Sequence, residues 1–206
     1  MNITPFYRRN LPHITINEKA YFITFWLNKA IPTNVMIMFK YKYDLEFKVL
    51  SKLKNEIEKK KKIYNLQKKY FGIFDNYLDR SENNVKWLSD MRIANIVKES
   101  ILYRDKRDYE LLCYNIMPNH VHLVIYVERF VKPLHKILQS LKRHTARQSN
   151  IVLNRTGNPF WHPESYDHFV RDHLELSRII DYTMKDPVKA NLITRLEDWN
   201  WSYSKY

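Results

Sequence analysis

Glycine is almost missing from this chain, with only Gly72 and Gly157 among 206 residues. A glycine-rich loop that cradles phosphates therefore cannot form, which argues against a nucleotide cofactor and against ATP- or dinucleotide-dependent chemistry. Cysteine is scarcer still. The lone Cys113 excludes an internal disulfide and a cysteine-built zinc site, and an isolated thiol suits a reducing cytoplasm. There is no apolar run of membrane-spanning length and no signal-peptide pattern, so no membrane association is expected. Acidic side chains are in deficit, 22 against 35 Lys and Arg, for a formal charge of +13. That imbalance favours a polyanionic partner, of which nucleic acid is the commonest. Internal repeats, heptads and low-complexity linkers are absent as well.

Apolar residues make up 45% and aromatics 15% of the chain, enough for a packed core in one sizeable domain. The opening segment, with Arg8, Arg9 and Leu11-Pro-His13, reads as an extended basic arm. Ala20–Leu27 is rich in aromatic and β-branched residues and predicts a strand. Asp44 is positioned to cap a long helix to about Tyr70, with Leu45, Val49, Leu53 and Ile57 at four-residue spacing and Gly72 as its stop. Its lysines, Lys59–Lys62 with Lys68 and Lys69, read as a solvated face or a DNA contact. A polar turn at Ser81–Asn84 and a helix from Met91 to Tyr103 follow, so residues 40–105 resemble a helical insertion or arm.

Two strands, Tyr109–Ile116 and His120–Val127, are joined through Met117-Pro-Asn119, residues suited to a tight turn. A helix from Leu134 to about Asn150 turns Leu134, Leu138 and Leu141 inward and Lys142, Arg143 and Arg147 outward. Tyr166–Arg171 predicts a strand. Leu174–Lys185 predicts a helix with Leu176, Ile179, Ile180 and Thr183 buried, which Pro187 ends or tilts. The aromatic tail Trp199–Tyr203 reads either as a clamp for bases or as packing. The order is that of an α+β fold with antiparallel pairing, which a ferredoxin-like sandwich accommodates.

His120 and His122 alternate with Val121 and Leu123, so the two imidazoles share one face of a strand and form a chelating pair for a divalent metal. The turn before them places His120 near a sheet edge open to a ligand. Tyr182 and Asp186 are one turn apart on the flank of the last helix. Laid across the sheet, that flank would bring a phenol and a carboxylate to the imidazoles. A histidine-triad hydrolase would need a third alternating histidine, where this chain has Val124.

These residues resemble the REP-associated tyrosine transposases, a branch of the single-tyrosine HUH nucleases. The resemblance is carried by Arg8-Arg-Asn-Leu-Pro-His13, Tyr21–Phe25, Met117–Ile125, Leu141-Lys142 with Thr145–Arg147, and Phe160-Trp161. Tyr166–His168, Arg171-Asp172, Asp181-Tyr182, Pro187–Leu192 and Glu197–Ser202 complete it. It implies one domain over residues 1–206 that cuts and rejoins single-stranded or hairpin DNA at palindromic repeats through a 5′-phosphotyrosine. By position His120 and His122 correspond to the metal ligands and Tyr182 to the nucleophile. The family usually has an amide four residues after the tyrosine. Asp186 stands there instead, and a carboxylate serves a hard cation as third ligand.

Two imidazoles, one oxygen and open positions suit Mg²⁺ or Mn²⁺ rather than closed tetrahedral Zn²⁺. Lys185 is a candidate helper of the phenolate. Arg8, Arg9, Lys142, Arg143, Arg147, Arg171, Lys185 and Lys189 are the expected DNA contacts. A bacterial cytoplasmic, nucleoid-associated monomer or homodimer follows from the resemblance. The alternative is a domesticated relative that keeps the DNA surface and has lost cleavage.

Overall fold

The computed structural model describes residues 18–80, 85–128 and 132–206. The Arg8–Arg9 arm and the Ser81–Asn84 turn lie outside these residues. In chain order the elements are β1 (Lys19–Trp26), α1 (Thr33–Ser51), α2 (Glu56–Arg80), α3 (Met91–Arg104), β2 (Glu110–Ile116), β3 (His120–Val127), α4 (Leu134–Val152), β4 (Tyr166–Phe169), α5 (His173–Lys189) and β5 (Ser202–Ser204). Every strand pairing is antiparallel, in the order β4-β1-β3-β2-β5. β1, α3, β2, β3, α4 and β4 give the β-α-β-β-α-β order of a ferredoxin-like α+β fold. α1 and α2 stand between β1 and α3.

Strand alternation divides the sheet into two faces. Ile23, Phe25, Val121, Leu123 and Ile125 pack against Ile93, Val97 and Ile101 of α3 and Leu138 and Leu141 of α4. Phe22 and Val124 belong to the opposite face, where Phe71 of α2 and Leu176, Ile179, Ile180 and Tyr182 of α5 cover them. A bulge between Leu111 and Cys113 resets the alternation in β2, so Cys113 joins this second face.

Several expectations change at the helices. The single helix over residues 44–70 is two helices, because Asn55 Oδ1 accepts from the backbone N–H groups of Ile57 and Glu58 and starts a new one. Leu45, Val49 and Ile57 face solvent, while Tyr43, Leu66 and Tyr70, with Phe47 and Leu50, form the contact between α1 and α2. Gly72 does not stop α2. The helix continues to Arg80, since burying Phe74 and Leu78 outweighs a glycine cost of about 1 kcal/mol. Likewise Pro187 is buried within α5.

The aromatic tail is structural. Trp199 Nε1 donates to Asn115 Oδ1 at 2.8 Å, Tyr203 stacks on Tyr114, and β5 extends the sheet beside β2. Among the described residues no helix is long and apolar enough to cross a membrane.

Candidate metal centre and nucleophile

His120 and His122 project from β3, the middle strand of the sheet, and neither has any solvent exposure. The open sheet edge expected for His120 is therefore not found, because α2 and α5 close over that face. Each imidazole is oriented through its Nδ1. His122 Nδ1 meets Thr24 Oγ1 at 2.8 Å from the neighbouring strand, and His120 Nδ1 meets Asn119 Oδ1 at 2.7 Å. Asn119 is itself held, its Nδ2 donating to the Leu78 carbonyl of α2 at 2.9 Å. Both Nε2 atoms then point inward, 3.1 Å apart, an arrangement that leaves their lone pairs for a ligand.

Three carboxylates converge on those nitrogens. From α5, Asp186 Oδ2 lies 3.5 Å from His120 Nε2 and 3.3 Å from His122 Nε2. From α2, Asp75 Oδ1 lies 3.3 Å from His122 Nε2 and 4.0 Å from His120 Nε2, and Asp79 Oδ1 lies 4.0 Å from His120 Nε2. Apart from the imidazoles, Asp75 Oδ1, Asp79 Oδ1 and both oxygens of Asp186 are buried with no hydrogen-bond donor. Unsatisfied carboxylate oxygens at this depth are costly unless a cation answers them. Atoms about 2.1 Å from one ion lie about 3.0 Å apart along an octahedral edge and about 4.2 Å apart across it. The observed separations fall within that span, so the residues fit a hard divalent cation.

The Tyr182 hydroxyl donates to Asp75 Oδ2, and Lys189 Nζ approaches it at 3.2 Å. The ring centroids of Tyr182 and His122 are 6.1 Å apart. Burial, and then the charges of Asp75, Asp186 and Asp79, push the Tyr182 pKa well up, which keeps the phenol protonated. Burial alone would lower the His122 pKa, but Asp75 and Asp186 outweigh it and raise it to about 10. Burial would likewise raise that of Asp186, yet its contacts with the two imidazoles hold it far below the usual carboxylate range.

Tyr182, His120, His122 and Asp186 are thus brought together. Lys185 is not with them. It is exposed and pairs with Asp181 at 2.7 Å, and the cation beside the phenol is Lys189, bound to Asp79 at 2.7 Å. The outward placement of Lys142 also fails, because the loop after Trp161 folds over that part of α4. Lys142 Nζ donates to the carbonyls of His162, Pro163 and Glu164 at 2.6, 3.1 and 3.3 Å, and burial lowers its pKa to about 8. Arg143 and Arg147 are exposed, and Arg171 stacks on the Tyr64 ring, 3.1 Å from its centroid.

Sequence reasoning missed Asp75, Asp79 and the orienting roles of Thr24 and Asn119. A signal for the first two was present: two acids at i and i+4 on the apolar side of a helix, among Phe71, Phe74 and Leu78.

A histidine pair on the central strand, faced by a tyrosine and a carboxylate from one helix, defines the class to which known proteins can be compared. The family model described as "Transposase IS200 like" matches residues 80–185, just over half of the chain. The chain belongs to this transposase family. A solved structure described as a REP-associated tyrosine transposase bound to a REP hairpin shares the fold, with a TM-score of 0.53 and 15% sequence identity. The likeness covers 97% of this chain and 82% of that one. No curated protein matches the chain.

Proposed function

We propose that the protein cleaves and rejoins single-stranded DNA through a covalent 5′-phosphotyrosine on Tyr182, with His120, His122 and Asp186 holding Mg²⁺ or Mn²⁺. The observation that carries this reading is the convergence of the Tyr182 hydroxyl, both histidine Nε2 atoms and Asp186 in one buried cluster. The substrate class, a hairpin of palindromic repeat DNA, is suggested by the hairpin bound to the structurally similar transposase.

The cation, when bound, would withdraw charge from a non-bridging phosphate oxygen and offset the carboxylates around the phenol. The remaining steps belong to side chains. Asp75 Oδ2, which already accepts the Tyr182 hydrogen bond, takes the proton as the phenolic oxygen attacks phosphorus. Lys189, 3.2 Å from that oxygen, stabilises the developing negative charge. The bond from phosphorus to the 3′-oxygen breaks, and that oxygen takes a proton from water to leave as a 3′-hydroxyl. In the reverse direction a 3′-hydroxyl attacks phosphorus and gives its proton to water, the bond from phosphorus to the tyrosine oxygen breaks, and Tyr182 recovers its proton from Asp75. The ester keeps the energy of the broken bond, so rejoining needs no nucleotide.

In the same reading residues 1–206 act as one catalytic domain, monomeric or dimeric, in which α1 and α2 form the helical insertion; the expected span of 40–105 is too wide, because α3 packs on the sheet as part of the core. The exposed Arg143, Arg147, Arg171 and Lys185, with the N-terminal Arg8 and Arg9, contact the DNA backbone. Lys189 contributes at the reacting phosphate.

Incubation with a single-stranded hairpin and Mn²⁺ tests the proposal. The wild type should form a protein–DNA adduct that denaturants do not dissociate, mapping to the peptide with Tyr182. Y182F should bind the hairpin and form no adduct. An adduct on another tyrosine would overturn the nucleophile. Tight binding with no adduct by the wild type would instead support a domesticated DNA-binding protein.

A further inference from the structure

The two aspartates of α2 precede the span matched by the transposase family model, which begins at residue 80, and the reaction above requires neither as a ligand. Yet one of them completes each of two groups whose ligand atoms are close enough to share an ion. These groups are Asp75 with His120 and His122, and Asp79 with His120 and Asp186. Helix geometry explains the pairing, since residues four apart present their side chains to the same neighbour.

The depth of these side chains is informative. Asp75 has no solvent exposure, and the Asp79 side chain has only 3%. Each uses one carboxylate oxygen for a partner, Tyr182 for Asp75 and Lys189 for Asp79. The second oxygen of each, Oδ1, is turned toward the imidazole nitrogens, Asp75 Oδ1 lying 3.3 Å from His122 Nε2 and Asp79 Oδ1 4.0 Å from His120 Nε2, and neither meets any other donor. Lys189 reaches all three aspartates, at 2.7–3.7 Å, yet even together with a charged His122 it leaves the three carboxylates in excess. A helix that buried two such residues only for packing would be less stable than one with apolar residues there. A cation removes that penalty.

We propose that α2 is a metal-binding element. Asp75, and beside it Asp79, ligate through Oδ1 the same divalent cation that the histidine pair holds. The ion is then enclosed between the sheet, α5 and α2. Asp75 would then offer Oδ1 to the cation while Oδ2 holds the hydroxyl of the nucleophile. Three carboxylates and two imidazoles favour a hard, six-coordinate ion such as Mn²⁺ over tetrahedral Zn²⁺. The proposal rests on the metal reading of the preceding section, and its test separates the two.

The experiment is a calorimetric titration of Mn²⁺ into the full chain, without DNA, for the wild type and for H120A/H122A, D75N, D79N and D75N/D79N. The asparagines keep the shape and lose the charge, and circular dichroism checks folding. The expected result is that each single Asn variant weakens Mn²⁺ binding about tenfold or more, with a larger loss in the double variant. Should D75N fail to fold, D79N, nearer the rim, is compared alone. D75C or D79C with Cd²⁺ then supplies a second readout, a near-ultraviolet thiolate–cadmium band absent from the wild type. Wild-type affinity in the Asn variants, with affinity lost in H120A/H122A, would overturn this proposal and leave the histidine site standing. No Mn²⁺ binding by the wild type would overturn both.

Discussion

Asn119 shows how much a single side chain can do before any chemistry starts. Its position in the Met117-Pro-Asn-His120 turn would by itself need only a turn-forming residue, and the sequence pattern suggests nothing more. In the fold its Oδ1 fixes the His120 ring at 2.7 Å, while its Nδ2 ties that ring to the Leu78 carbonyl at 2.9 Å. We expect N119A to fold and to bind Mn²⁺ about tenfold more weakly, as for other groups that orient a metal-ligating histidine. N119D keeps the acceptor for His120 and should bind more tightly than N119A. Equal Mn²⁺ affinity in wild type and N119A, measured by calorimetry, would remove the orienting role.

Glu175 illustrates a residue with a structural task. It is almost fully buried at the start of α5, where Asp172 caps the helix through the Glu175 N–H. Its carboxylate accepts from Tyr64, Lys68 and the Arg171 N–H, with His168 Nε2 at 3.3 Å. Burial raises its pKa, but the hydrogen bond from Tyr64 and the other donors prevail and lower it to about 2. A folded-state pKa below the unfolded one means stability that is fully present above about pH 4.5 and fades as pH falls to about 2. E175Q should therefore cost on the order of 2 kcal/mol at neutral pH. In thermal melts its deficit relative to wild type should shrink steadily below pH 4.5, and a deficit independent of pH would argue that shape, not charge, holds the cluster.

At the scale of elements, α5 carries both the nucleophile and Asp186, and its geometry turns on a proline. Pro187 has no N–H, so the Thr183 carbonyl one turn earlier loses its helical donor. Asn115 of β2 replaces it, its Nδ2 donating to that carbonyl at 2.8 Å, and its Oδ1 receives Trp199 Nε1. The substitute bond fixes the turn beside Tyr182 against the sheet. N115A should cost about 2 kcal/mol or more, because it leaves buried groups unpaired. In a P187A background, where the Thr183 carbonyl regains an amide donor, the same change should cost about 1 kcal/mol less. Urea unfolding of the four proteins closes the cycle, and strictly additive costs would sink this account.

The elements also show what the sequence made legible. β3, the hairpin before it and the neighbourhood of Tyr182 could be placed because alternation, turn residues and helix period are local signals. The boundary at Asn55 was equally local, an asparagine followed three residues later by Glu58. It was outweighed by the four-residue spacing of Leu45, Val49 and Ile57, which turned out to face solvent. The bulge at Leu111–Cys113 left no such mark, and the two acids on the apolar side of α2 signal burial of Asp75 but not its meeting with His122. That meeting depends on how α2 packs across the sheet, over a separation in sequence that no periodicity reports. Lys142 is a similar case: an outward helix position became an inward one when a distant loop covered it.

Over the whole molecule, a net charge of +13 needs to be divided between lysines used in folding and cations left for a polyanion. On α2, Lys59, Lys62 and Lys69 pair with Glu56, Glu58 and Glu46, as a solvated helix face would. Lys142 is occupied by three carbonyls. K142M should thus lower stability by about 1.5–3 kcal/mol, the range for hydrogen bonds to a charged group, and leave the salt dependence of hairpin binding unchanged. Arg143, Arg147, Arg171 and Lys185 are exposed and should behave in the opposite way. Changing all four to Gln should leave the melting temperature nearly unaltered. The slope of log K against log salt should fall by about 0.7–0.9 for each phosphate contact removed. Binding isotherms at several salt concentrations measure both effects. An unchanged slope in the fourfold variant would place the DNA on another surface, with the lysine-rich stretch of α2 as the next to neutralise.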